Sequence, residues 1–198
     1  MKLYLSIIGI AVAIISAVNI ACGTAPWYYA VIATLWCAAL QFGLDGLFAI
    51  LINKMPDRWF GVDNPAYRVS KKETKLYVKL KVRVWKDLVW ELGGLGGFSK
   101  KILKEPNNPE YIERFIIECN KGVLTHRIGY AVGFLAMLTL PNICALTIAL
   151  PVAVVNLFLN ILPTIVLRYN TPMLLSILKR LKRQSAARKA VEVAPVTE

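Results

Sequence analysis

His126 is the chain's one histidine, and the acid nearest before it is Glu118, eight residues earlier, with Gly122 halfway between. On a helix this four-and-four spacing stacks the three positions along one face, about 12 Å from first to last at 1.5 Å per residue. That is too far for a direct hydrogen bond. A hydroxyl seated over Gly122 would still meet an imidazole that can take its proton and a carboxylate that can orient it, which makes His126 and Glu118 candidate catalytic residues. A plainer role fits the same residues: a histidine anchoring the helix at a membrane surface, with Gly122 letting another helix pack close. Cys119, about 10 Å from His126 along the stripe, is too far for a Cys–His nucleophile pair. Glu110, Glu113, Glu118 and His126 lack the close helical pairing of zinc sites, so no metal is expected.

The elements that must position these groups are read from hydropathy. Of the 198 residues 57% are hydrophobic, the mean hydropathy is +0.52, and the excess is gathered in blocks, which indicates an all-α integral membrane protein. Four transmembrane helices are expected, over about 3–22, 27–52, 123–140 and 143–167, in a single membrane-embedded domain (1–183) with a flexible tail (184–198). At about 20 residues each, such segments cross a hydrocarbon core of about 30 Å. The first is too long, and too quickly followed by a second, to be a cleaved signal peptide. Asp45 lies inside the second span, where an acid faces other helices or a wet cavity unless it is near enough to the helix end to reach water. The fourth contains Pro151, Asn156, Asn160 and Pro163, which suggests a kinked helix lining a polar cavity.

The connector from 53 to 121 carries 15 of the 24 basic residues and nine of the 12 acids. That concentration of Lys and Arg places it, with both termini, on the cytoplasmic side of a multi-pass cell-membrane protein. The net charge of +12 is then matched by anionic lipids, with no nucleic acid as partner. Within the connector, residues 76–85 alternate apolar and basic residues and read as a short strand or surface-bound extended segment, with Lys79, Lys81 and Arg83 on one face. The glycine-rich run 93–97 followed by Ser99, Lys100 and Lys101 fits neither nucleotide-binding fingerprint and reads as a loop. Asn108 and Pro109 mark a helix start. Thr171 and Pro172 mark another, an amphipathic interfacial helix with an apolar and a basic face. The four cysteines show no paired metal spacing, and Cys119 is expected as a free thiol in the connector.

A series of short motifs then acquires a common meaning. Met-Pro-Asp-Arg-Trp-Phe (55–60), Val84-Trp85-Lys86-Asp87, Gly-Gly-Phe-Ser-Lys-Lys (96–101), Tyr-Ile-Glu-Arg-Phe (111–115), Glu118 with His126, and Arg168-Tyr169-Asn170-Thr171-Pro172 occur in that order. The chain resembles the glycosyl-4,4'-diaponeurosporenoate acyltransferase family of small integral-membrane enzymes. It departs from the family pattern at Gly122-Val123-Leu124, where an acid is expected, and at Arg127, where an aromatic residue is usual. The resemblance implies transfer of a fatty acyl group onto a hydroxyl of a glycosylated isoprenoid or related membrane lipid. The donor would be an acyl thioester, acyl-CoA or acyl carrier protein, and no further cofactor is implied. His126 would act as base, with Glu118 orienting it or the acceptor through a bound group or water. Trp85, Lys86, Arg114, Arg168, Tyr169, Asn170 and Asp45 would bind substrate. The alternative of another class is a non-catalytic membrane subunit or lipid-binding scaffold that docks a partner through its basic connector.

Overall fold

The computed structural model describes residues 2–89, 98, 100 and 102–193 and is all-α among them. Helix α1 (Lys2–Ala21) and helix α2 (Trp27–Asn53) are the two apolar blocks expected first, joined by the turn through Gly23 and Pro26. Helices α3 (Lys71–Lys79), α4 (Val82–Trp85) and α5 (Pro109–Val132) follow. A 3-10 run, Gly133–Thr139, continues α5. Beyond Pro141, a three-residue α6 (Asn142–Cys144) and a π turn (Ala145–Ala149) lead into α7 (Leu150–Val193).

Three helical stretches are long and apolar enough to cross a membrane: Tyr4–Ala21, Trp27–Asn53 and Asn142–Ala187. The fourth expected span, 123–140, is not a helix of that kind. Only about a dozen apolar residues separate Arg127 from Pro141, too few to cross the hydrocarbon as α-helix alone. Residues 123–132 form the end of α5, and 133–139 the 3-10 run that follows it. This composite segment runs antiparallel to α2. Lys121 Nζ donates to the Asn53 carbonyl at 3.4 Å, Gln41 Nε2 to the Gly133 carbonyl at 2.9 Å, and Trp36 Nε1 to Thr139 Oγ1 at 3.2 Å.

The prolines of the last span act as sequence chemistry requires. Pro151 has no N–H for the Thr147 carbonyl four residues back. That carbonyl lies in the π turn and accepts from buried Asn19 at 2.9 Å. Pro163 and Pro172 lie inside α7, which runs on unbroken. The helix expected to begin at Thr171 is therefore a continuation, with Thr171 Oγ1 bonded back to the Leu167 carbonyl at 3.0 Å. Its apolar face does not lie on lipid: Leu174, Leu178 and Leu181 are buried in a core with Ile112, Phe115, Ile116 and Cys119 of α5. Cys119, expected as a free thiol in a polar connector, is thus a core side chain. Val123, at a family-pattern departure, belongs to the same core. Helix also persists past 183, the boundary set for a flexible tail.

Residues 76–79 and 82–85 are helical and 80–81 form a turn, so the stretch is not extended. Ser70 Oγ caps α3 by accepting from Glu73 N at 3.1 Å, and a serine three residues before a glutamate is a helix-start signal that outranks a two-residue alternation. Lys81, at φ 51°, separates α3 from α4, so Lys79, Lys81 and Arg83 do not form the face of a strand. Asn108 caps α5 as its sequence predicts, its Oδ1 accepting from Glu110 N and Tyr111 N at 3.0 and 3.2 Å. The glycine-rich run lies outside the described residues.

Candidate functional site

The face of α5 that carries His126 continues, one and two turns on, as Gly129 and Gly133. Those glycines let α7 come close. A Cβ on Gly129 would lie 2.8 Å from the carboxamide carbon and oxygen of Asn160, and one on Gly133 would lie 2.9 Å from Asn156 Nδ2. Gly122, where a substrate notch was expected, is filled in the same way, since its Cβ would meet Leu167 Cδ1 at 2.8 Å and Lys100 Nζ at 3.5 Å. The three contacts follow one antiparallel register, 122 with 167, 129 with 160 and 133 with 156.

Into the bare face α7 inserts Asn160, which is buried. His126 Nδ1 lies 2.8 Å from Asn160 Oδ1. Asn160 Nδ2 donates to Asp45 Oδ2 at 3.0 Å and faces the Asn156 carbonyl at 3.1 Å and Asn156 Oδ1 at 3.3 Å. This arrangement fixes the amide's orientation, because a flip would set its oxygen against three acceptors. With the oxygen toward the imidazole, Nδ1 must carry the proton. Nε2 is then left with its lone pair, the state a general base requires. Asp45 Oδ1 is buried with no hydrogen-bond partner among the described residues, so one carboxylate oxygen remains able to accept from a bound group.

The level of this cluster along the helices follows from the two that supply it. Asp45 is eight residues from Asn53 at the end of α2, and Asn160 is eight residues before Arg168 on α7. Each interval is about 12 Å along a helix. The two agree, so the imidazole and its partners lie about 12 Å along these helices from Asn53 and Arg168, and Arg127, the residue after His126, is exposed.

Glu118 is on the same helix as His126, two turns toward the connector. Its carboxylate lies 3.8 Å from Lys121 Nζ, which also meets Asp57 at 2.6 Å. His126 Nδ1 therefore has Asn160 as its partner, and Glu118 belongs to a cluster that ties the end of α2 to α5. Arg168 is likewise engaged. Its Nε and Nη2 donate to both oxygens of Glu73, and Nη2 also donates to the Arg68 carbonyl at 2.9 Å. Arg168 Nη1 is buried without a partner among the described residues. Tyr77 donates to the same Glu73 carboxylate. The Arg168 guanidinium holds the Glu73 carboxyl below the usual glutamate range, while burial and then the Glu73 carboxylate push the Tyr77 phenol up to about 12.

The remaining expected binding residues are dispersed. Trp85 Nε1 donates to the Leu80 carbonyl at 3.0 Å, and Lys86 lies 3.9 Å from Asp87. Arg114 stacks over Phe98 at 5.6 Å, three helical turns from His126. Tyr169 and Asn170 are half-buried on α7 beside Arg168. The structure brings together Asp45, Asn156, Asn160 and His126 and does not bring Glu118 or Arg114 to them. Asn160 is the partner that the sequence reading missed. Its signal was its type, an amide inside an apolar span, already noted as cavity-lining but not paired with the histidine. No group of His, Cys, Asp and Glu among the described residues could hold a metal ion.

A family model described as glycosyl-4,4'-diaponeurosporenoate acyltransferase matches residues 56–180. No curated protein and no solved structure matches the chain.

Proposed function

We propose that this chain, which belongs to the glycosyl-4,4'-diaponeurosporenoate acyltransferase family, uses His126 as the base that acylates a sugar hydroxyl of a glycosylated carotenoid inside the membrane. The carrying observation is the hydrogen bond from His126 Nδ1–H to an Asn160 amide whose orientation Asp45 and Asn156 fix. Nε2 takes the hydroxyl proton as the sugar oxygen adds to the thioester carbonyl. The tetrahedral adduct then expels the thiolate, the C–S bond breaks, and the imidazolium returns its proton to sulfur. Asp45, joined to the ring through Asn160, favours the imidazolium in between, and its unpartnered Oδ1 is placed to accept from a second sugar hydroxyl. Proton abstraction of this kind contributes about 10²–10⁴ in rate.

The helices that carry Asp45 and Asn160 support a lipid acceptor, because both are long and apolar enough to cross a membrane and a site between them is reached from the bilayer. The donor is a long-chain thioester, acyl-CoA or acyl carrier protein, arriving from the connector side. The 15 basic residues of the connector favour the cytoplasm for that side. The test uses full-length protein in nanodiscs with labelled acyl thioester and glycosylated carotenoid. His126→Gln keeps an N–H for Asn160 but has no base, and turnover is expected to fall by at least about 100-fold with the melting temperature preserved. Undiminished turnover in that variant removes His126 as base. Label appearing only on other lipids removes the acceptor assignment.

A further inference from the structure

Helix α3 has two unlike faces. Glu73 and Tyr77, four residues apart, turn inward to Arg168. The outward face continues through α4 with side chains left open: Val78 is 67% exposed, Val84 78% and Leu88 65%. Lys71, Lys75 and Lys79 are exposed among them. Residues 71–88 hold seven Lys and Arg against two acids, and one of those acids, Glu73, already serves Arg168. Large apolar side chains set among lysines that have no acid partner among the described residues are costly in water and favourable where acyl chains meet anionic headgroups.

The fold fixes what this face is attached to. The Glu73–Arg168 pair holds α3 against α7, at the first charged residue of that helix, and ten uncharged residues follow before Lys179. Helix α3 is therefore carried on the flank of a stretch, Asn142–Ala187, that is long and apolar enough to cross a membrane.

We propose that the outward face of α3 and α4 docks on an anionic bilayer surface, with Val78, Val84 and Leu88 entering the headgroup–acyl boundary and Lys71, Lys75 and Lys79 pairing with lipid phosphates. An acidic protein would satisfy the lysines but leave the three apolar side chains without a role, so lipid is the better match. The docked helices press the connector against the membrane beside the mouth of the site.

The experiment places a nitroxide on Val84→Cys in full-length Cys22→Ser protein, in nanodiscs of phosphatidylcholine with or without roughly one part in three phosphatidylglycerol. Collision with dissolved oxygen is compared with collision with a water-soluble nickel complex. In anionic discs oxygen is expected to dominate. In neutral discs, or with Lys71→Glu, Lys75→Glu and Lys79→Glu together, nickel accessibility is expected to rise about fivefold. The same reading at Leu88→Cys guards against a local effect of the label, and an unchanged melting temperature guards against unfolding. Nickel accessibility equal to an aqueous site in every lipid overturns the proposal. So does oxygen dominance that ignores both lipid charge and the glutamates, and so does a label shielded only on addition of an acidic acyl carrier protein.

Discussion

Replacing Asn160 by alanine tests the site at its centre. The variant removes the acceptor for His126 Nδ1–H and the donor to Asp45 Oδ2, at 2.8 and 3.0 Å. Each buried partner left unsatisfied costs about 1–3 kcal/mol. The ring is then free to change tautomer and turn, and loss of one such positioning bond in the transition state lowers kcat by about 5- to 150-fold. The donor is not touched by Asn160, so its KM is expected to stay within about twofold. Because Asp45 reaches the imidazole through Asn160, the two substitutions must not act independently. Asp45→Asn lowers kcat on its own but adds little in the Asn160→Ala background, a coupling of about 1–2 kcal/mol. The assay is turnover of a labelled acyl thioester onto glycosylated carotenoid in nanodiscs, with kcat and KM separated and the melting temperature followed in parallel. Full turnover in Asn160→Ala, or a double variant whose loss is the product of the single losses, refutes the relay.

Gly129→Ala should reach the same cluster from the other helix. Its Cβ would lie 2.8 Å from the Asn160 carboxamide, an overpacking worth about 1–3 kcal/mol, and kcat should fall about tenfold. Gly46→Ala, with nothing within 4 Å, is the control and should be neutral in the same assay. The Glu73–Arg168 pair sets a pH limit on stability. Arg168 holds the folded pKa of Glu73 below its ordinary value of 4.5, so the folded state resists protonation more than the unfolded chain does. The contribution is therefore present above that ordinary value and is lost as pH falls through the lowered one. Melting temperature followed downward from neutral pH should hold and then drop in acid. Glu73→Gln should melt lower at neutral pH, by about 3 kcal/mol of stability, and lack that part of the acid limb.

How far the sequence could be read depended on the range of the forces involved. Helices α1 and α2 and the Asn108–Pro109 start of α5 follow from hydropathy and capping, which act within a turn or two, and they stand as expected. The strand or extended segment expected at 76–85 failed because the local Ser70–Glu73 capping signal outranks the two-residue alternation, and because the inward face of α3 meets Arg168, some 95 residues away. The break expected at Pro172 failed for a related reason. A proline removes one backbone bond, and the packing of Leu174, Leu178 and Leu181 against α5 outweighs it. No local rule contains that packing.

The candidate site was half legible, and the missing half was a matter of depth. Asp45, Asn156 and Asn160 stood out as polar residues in apolar blocks, and His126 as the lone imidazole. The sequence paired His126 with Glu118 because both are on one helix, eight residues apart. That interval, about 12 Å, is the distance along the helices from the end of α2 to the His126 cluster. Glu118 is at the upper level, with Lys121 and the end of α2. The residues at the depth of His126 are those eight positions inboard of Asn53 and of Arg168, namely Asp45 and Asn160. The sequence therefore contained the spacing that identifies them, but not the alignment of α2, α5 and α7 that makes the spacing a depth. That alignment is set by the small residues Gly122, Gly129 and Gly133, each facing a side chain of α7 that a methyl group would displace.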